Sequence, residues 1–137
     1  MSRPKLSRSV VNPPVMEGFR PFGIPITDLE PVILLFEEYE ALRLADYVGL
    51  KQVQSAEIMN VSRPTFTRIY EKARRSIAKA FVEGKAIFIE GGNYHTDSNW
   101  YRCDSCMKLN IASIEISNCN YCHSDALRRL NQNIEKL

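Results

Sequence analysis

Between Asn60 and Pro64 a helix stop and a helix start follow each other with almost nothing between them. Asn60 suits the left-handed backbone that closes a helix, a position that Gly or Asn fills best. Ser62 can offer its side-chain oxygen to the unpaired amides of a first helical turn, and Pro64 is tolerated in that turn because those amides lack intrahelical partners anyway. The spacing leaves the chain one option here, a tight turn between two helices.

The periodicities on either side set the lengths of those helices. Lys51 to Met59 predicts a short helix with Val53, Ala56 and Ile58 or Met59 turned inward. Lys51 stands where a Ser or Thr cap is common, which leaves the start of this helix open. Downstream, Phe66, Ile69, Ala73, Ile77 and Ala80 or Phe81 recur every three or four residues, the period of one helical face, until Gly84 stops the longest helix of the chain. A third helix precedes the pair, from Glu37 to the break at Gly49. Tyr39, Ala41, Leu42, Leu44, Ala45 and Tyr47 mark its apolar side, and Glu37, Glu38, Glu40, Arg43 and Asp46 occupy the rest, with acids in the first turn where the helix dipole favours them.

Two short apolar segments frame these helices. Pro31 to Phe36 and Lys85 to Glu90 read as strands and are expected to pair as a small two-stranded sheet at the base of the helices. Residues 1–27 carry five prolines and an excess of basic side chains and read as an extended basic arm, with residues 28–94 as the helical domain. Residues 95–137 read as a separate module that opens with a polar linker and closes with a short amphipathic helix from Asp125 to Leu137, with Leu127, Leu130 and Ile134 lying on one side. The fold class expected is mainly α: three helices, one small sheet and a small C-terminal module.

Charge separates the helices by function. The formal net charge of +2 is too small to point to nucleic acid. Residues 28–57, however, hold two basic and seven acidic side chains, whereas residues 58–85 hold seven basic and two acidic. A basic segment directly after an acidic one suggests a face that meets phosphate. That face is the outward side of the longest helix, with Arg63, Thr67, Arg68, Lys72, Arg75 and Lys79 on it. Arginine near the helix start can bond two acceptors on a guanine edge, threonine can take a base or the thymine methyl, and Lys72, Arg74, Arg75 and Lys79 can neutralise phosphates. The bland alternative is a solvated basic helix.

The second constellation is Cys103-Asp-Ser-Cys106 and Cys119-Asn-Tyr-Cys122, with twelve residues between the pairs. The longest apolar run, Val32 to Phe36, is far below the roughly 18 residues of a membrane span, and Asn12-Pro13-Pro14 interrupts any secretory signal. The expected location is therefore cytoplasmic, where thiols stay reduced and paired cysteines act as metal ligands. Two such knuckles can hold one structural Zn²⁺ with four thiolates. Iron in a rubredoxin-like site and a redox dithiol are the rivals. Redox activity needs one exposed pair at a helix start and does not explain why the pair occurs twice. His95 and His123 are substitute ligands, with His123 assigned to the surface. Trp100 and Tyr101 are expected to pack this module rather than stack a base. The glutamates at 37, 38 and 40 are scattered around a helix, and no phosphate-cradling loop or nucleophile triad stands out, so no enzyme is expected.

Several separated segments carry a family resemblance: Glu37 to Asp46, Gly49-Leu50, Met59 to Ile69, the pattern from Ala73 to Ala78, Gly84 to Tyr94, and the stretch from Phe19 to Pro25. Together they resemble an uncharacterised prokaryotic family of small predicted DNA-binding proteins whose helix-turn-helix is similar to region four of sigma factors. The resemblance covers about residues 18–94. It implies contact with double-stranded DNA through Ser62, Arg63, Pro64, Thr67 and Arg68, and hence a transcriptional regulator. A single helix-turn-helix reads few base pairs, so a homodimer on two half-sites would raise specific affinity. The competing expectation is an adaptor that docks on RNA polymerase or another regulator. The cysteine segment resembles a small zinc ribbon, although neither Cys106 nor Cys122 is followed by the glycine that such knuckles often use.

Overall fold

The computed structural model describes residues 8–25 and 30–131. The chain divides into two compact units, one formed by residues 8–10 and 17–95, the other by residues 11–16 and 96–131.

The first unit contains, in chain order, β1 (Arg8–Ser9), β2 (Gly18–Phe19), β3 (Val32–Leu34), α1 (Phe36–Leu42), α2 (Gln52–Met59), α3 (Arg63–Glu83), β4 (Ile87–Ile89) and β5 (Tyr94–His95). The last turns of α1 widen into a π-helical stretch, Arg43–Val48, that Gly49 closes at φ 89°. Its core lies where the three helices meet: Ala41 and Leu44 of the first, Ala56 and Met59 of the second, Phe66 and Tyr70 of the third. The Phe66 and Tyr70 rings stack at 5.7 Å. Burying a side chain of the size of Phe66 or Met59 stabilises by about 1.5–3 kcal/mol, so α3 is held chiefly by this apolar stripe rather than by its own propensity. Tyr70 escaped the sequence reading, which followed Ile69, whereas Val53, Ile58 and Phe81 face solvent.

The three helices form the crossover between two parallel strands. β3 enters α1, β4 leaves α3, and Val32, Ile33 and Leu34 pair with Ile87, Phe88 and Ile89. Parallel neighbours need such a long connection. The sheet has three strands rather than the two expected, because β2 adds antiparallel to the other edge of β4. Gly18 is required there, since a Cβ would lie 1.9 Å from the Ile87 carbonyl oxygen. β1 pairs in parallel with β5. Arg8–Ser9 and Gly18–Phe19 of the basic segment are thus tied down by pairing with residues far along the chain, a contact that composition does not encode. Residues 1–7 lie outside the described residues.

The acids of α1 correct a second expectation. Glu37, Glu38 and Glu40 are not on a solvated side; they are only 6%, 2% and 0% exposed, whereas Tyr47, read as apolar and inward, is 86% exposed. Each buried carboxylate has a partner. Glu38 Oε1 accepts from the Leu35 amide at 3.0 Å, and its Oε2 lies 2.9 Å from Lys72 Nζ of α3. Glu40 takes Arg43 Nε and Nη2 at 2.8 and 3.0 Å. Glu37 accepts from the Asn93 amide at 3.3 Å. Burial raises the Glu37 pKa above the usual carboxylate range, against the opposing pull of backbone amides and of Arg8.

The second unit is a three-stranded antiparallel sheet in the order β7 (Leu109–Ala112), β6 (Asn99–Cys103), β8 (Leu127–Arg129). The helix expected from Asp125 onward is overturned where it can be seen: Leu127 pairs with Cys103 and Arg129 with Tyr101. Leu127, Leu130 and Ile134 fit a helical period, but a free edge of β6 offers unpaired backbone groups, and Leu127 to Arg129 pairs with it, Leu127 and Arg129 half-buried and Arg128 exposed. Residues 132–137 lie outside the described residues.

Helices account for 35% of the described residues and strands for 20%, in three small sheets. The fold is therefore mixed α and β, not mainly α. No helix among the described residues is long and apolar enough to cross a membrane.

Candidate nucleic-acid interface and metal centre

The turn between α2 and α3 forms as its residue types require. Asn60 adopts φ 60°, ψ 44°, and the Val61 amide returns to the Ala56 carbonyl at 3.0 Å. Ser62 Oγ accepts from the Thr65 amide at 3.3 Å, and Pro64 occupies the first turn. Lys51 is the residue before α2 but caps nothing with its own side chain. The Gln54 side chain instead accepts from the Lys51 amide at 3.1 Å, which is the reciprocal half of a capping box.

The residues expected to touch DNA separate into three groups. Arg63, Pro64 and Arg68 are exposed at the start of α3, with Arg68 Nη2 donating to Thr65 Oγ1 at 3.1 Å. Ser62 and Thr67 are engaged within the protein, Ser62 as the cap and Thr67 with its hydroxyl between the Gln52 side chain and the Arg63 carbonyl. Thr67 therefore fastens α2 to α3. Lys72 likewise faces the buried Glu38 and braces α3 against α1. Arg75 and Lys79 lie further along the exposed face, each within 4 Å of a glutamate one turn away. Arg74, 5.2 Å from the Tyr70 ring and 4.0 Å from Asp46, belongs with the bracing residues; Tyr70 Oη donates to the same carboxylate at 2.6 Å.

The structure adds Lys51 to these candidates. Leu50, Lys51, Gln52, Val53, Arg63 and Tyr70 line an open hollow in the crease between the helices. Lys51 brings a cation beside Arg63, at a helix start whose first amides no side chain caps. The signal was the lysine at a capping position, noted in the sequence only as a departure.

In the second unit, β6 runs into the first cysteine pair and β7 leaves it. The Met107 amide returns to the Cys103 carbonyl at 2.8 Å, and the His123 amide to the Cys119 carbonyl at 3.0 Å. Met107 and His123 both have positive φ, 67° and 64°, so the backbone at each knuckle is the one a glycine would favour even though none is present. His123 is exposed. Cys103 Sγ lies 3.6 Å from Cys122 Sγ, Cys106 Sγ lies 3.7 Å from Cys119 Sγ, and all four sulfurs are within 4.8 Å of one another. A tetrahedron with metal–sulfur bonds of about 2.3 Å has edges of about 3.8 Å, whereas a disulfide needs about 2.05 Å. The cluster fits a single metal ion held by four thiolates.

Amide groups point at these sulfurs. Cys103 Sγ accepts from the Ser105 and Cys106 amides at 3.4 and 3.5 Å; Cys119 Sγ accepts from the Tyr121 amide at 3.4 Å and from Asn110 Nδ2 at 3.5 Å. The backbone amide of Cys122, with those of Tyr121 and the Asn110 side chain, lowers the Cys119 thiol to about 6. The Ser124 amide pulls the exposed Cys122 thiol down, but desolvation and the three neighbouring sulfurs outweigh it and push it up to about 11. A thiolate forms readily at one position and each further one meets its charge, the electrostatics a divalent cation relieves. Trp100 and Tyr101 are buried in the sheet beneath, as expected.

The profile of the family described as "Protein of unknown function DUF134" matches residues 1–97. The chain belongs to that family. Its relatives include a UPF0251 protein of Chloroherpeton thalassium, 43% identical over 127 residues that cover 91% of this chain and 84% of the relative. UPF0251 proteins of Caldanaerobacter subterraneus and Thermoanaerobacter pseudethanolicus are 54% and 52% identical over 94 residues, each covering 69% of this chain and 80% of the relative. No solved structure matches the chain. The DUF134 match takes in all three helices and stops before Cys103, whereas the Chloroherpeton alignment is long enough to run through the cysteine pairs.

Proposed function

We propose that this DUF134 protein binds duplex DNA sequence-specifically, as a prokaryotic transcriptional regulator, by laying the start of α3 in the major groove. The observation that carries the reading is the tight α2–α3 turn, capped by Ser62, that leaves Arg63 and Arg68 exposed on successive turns of a helix braced from behind by α1 and α2. The major groove admits one helix, and arginine is the side chain that most often reads guanine there. Arg75 and Lys79, and Lys51 at the start of α2, meet phosphates. Lys72 and Thr67 hold the two helices in register. A homodimer would place two such helices on neighbouring half-sites.

The four cysteines hold one structural Zn²⁺ in this reading. A closed set of four thiolates leaves no open position for a substrate, which is the mark of a structural site. Metal binding supplies folding free energy to a unit whose interior is small.

Selection of bound duplexes from a random pool tests the proposal. Enrichment of one motif by the wild type, and its loss in the Arg63→Ala/Arg68→Ala double variant, is expected. Each bidentate guanine contact discriminates by about 1–3 kcal/mol, so the double variant loses at least tenfold in preference for the motif. Recovery of the same motif by both proteins contradicts the groove assignment.

A further inference from the structure

Asn110 sits in the middle of β7, opposite Tyr101, and is 1% exposed. A buried carboxamide must satisfy both its ends. Its Oδ1 accepts from the Asn120 amide, inside the second knuckle, at 2.8 Å. Its Nδ2 lies 3.5 Å from Cys119 Sγ and 3.4 Å from the Lys108 carbonyl. That carbonyl also accepts from the Cys103 amide at 3.1 Å, which makes it part of the first knuckle. One side chain thus bonds the backbone of both cysteine segments and one of the four sulfurs, and among the described residues the other N–H groups shown bonding these sulfurs are backbone amides.

We propose that Asn110 is a positioning residue of the metal centre: it clasps the two knuckles together and donates an N–H to the Cys119 thiolate. The proposal rests on the metal reading above and goes beyond it by giving a non-ligand a defined task. Four thiolates around a divalent cation carry a net charge of −2. Cys103 and Cys119 are buried, where that charge is costly, and N–H donors to sulfur disperse it.

Two variants dissect the task. Asn110→Asp keeps an acceptor for the Asn120 amide but replaces the N–H with a carboxylate oxygen facing a thiolate. Asn110→Leu keeps the volume and removes both bonds. Zinc competition against a chelator should show affinity at least 10-fold below wild type for both, Asp the weaker, in line with the 10–100-fold cost of losing an outer-shell partner. In the Co²⁺-loaded proteins the sulfur-to-metal charge-transfer band should move to lower energy, a shift that a purely packing role does not produce. Should the variants fail to fold, wild-type protein loaded with ¹¹³Cd decides: the Asn110 Nδ2 proton should show scalar coupling to the metal through Cys119 Sγ. Wild-type zinc affinity and an unmoved cobalt band in both variants overturn the proposal, as does absence of that coupling. A wild-type protein without stoichiometric metal overturns the metal reading itself, and the Asn110 proposal with it.

Discussion

The two units are stabilised by different chemistry. The helical unit has a conventional apolar centre, from Ala41 and Leu44 through Met59 and Phe66 to Tyr70. The second unit buries Trp100 and Tyr101, but its interior also holds Arg102, Asn110, Asn131, Cys103 and Cys119. Those polar groups are spent on closing turns and edges: Arg102 Nη1 donates to the Val15 and Met107 carbonyls, and Asn131 bonds the backbone of Trp100 and Ser98. A sheet of three short strands buries too little apolar surface to offset the entropy of ordering it. One chain thus combines a region with an apolar core and a region whose interior is largely polar and holds four clustered cysteines.

Removing the metal should separate the two most sharply. A chelator is expected to red-shift the emission of Trp100, the chain's one tryptophan, and to leave most of the helical circular dichroism, because the binding free energy of a structural zinc is on the order of 10 kcal/mol and belongs to the second unit alone. The metal should also leave as pH falls from 8 to 5. Binding requires thiolates, and protons compete for the Cys119 sulfur once the pH falls below the value of about 6 that it holds. Loss of helix signal along with the Trp100 shift would mean that the units do not fold separately.

Within the helical unit the expected effects are smaller. Lys72→Met removes the partner of Glu38, whose side chain is 3% exposed, while Lys72 itself is 63% exposed. Leaving that carboxylate without its cation should cost about 1–2 kcal/mol in urea unfolding, less than for a pair buried at both ends. A Lys72 that serves only as a phosphate contact would leave the unfolding midpoint unchanged. Glu37 sets a still finer test. Its raised pKa means that the folded state favours the proton, so the stability it contributes is complete below the unfolded value of 4.5 and is lost as pH rises through the folded value. Glu37→Gln should therefore be at least as stable as wild type at pH 7, with the advantage fading toward pH 4. A variant less stable than wild type at neutral pH would show that the charge, not the burial, governs this residue.

What could be read from the sequence follows the range of each interaction. The stop at Asn60, the cap at Ser62 and the end at Gly84 are set by residues within a turn of one another, and all three stand where local chemistry put them. The cysteine spacing likewise foretold a cluster, because two Cys-x-x-Cys knuckles have few ways to fold. The failures lie where a distant partner decides. Leu127 became a strand because β6 had an open edge, Gly18-Phe19 joined the sheet through β4, and Glu38 turned inward because Lys72, thirty-four residues away, met it there. The internal partners of Thr67 and Lys72 were likewise hidden, because a helical wheel shows which side a residue faces but not what stands opposite. Asn110 carried no signal, as a lone asparagine in a strand has no pattern.

The central claim is that the outward start of α3 meets duplex DNA. The most direct test is the affinity of the zinc-loaded protein for its selected duplex as a function of salt. Binding through several phosphate contacts should give a straight line of log affinity against log salt, falling by about 0.9 per phosphate neutralised. Arg63→Ala/Arg68→Ala should lower that line at every salt concentration and erase the difference between the selected duplex and a scrambled one. An affinity independent of salt, or a double variant that follows the wild-type line, would contradict the account.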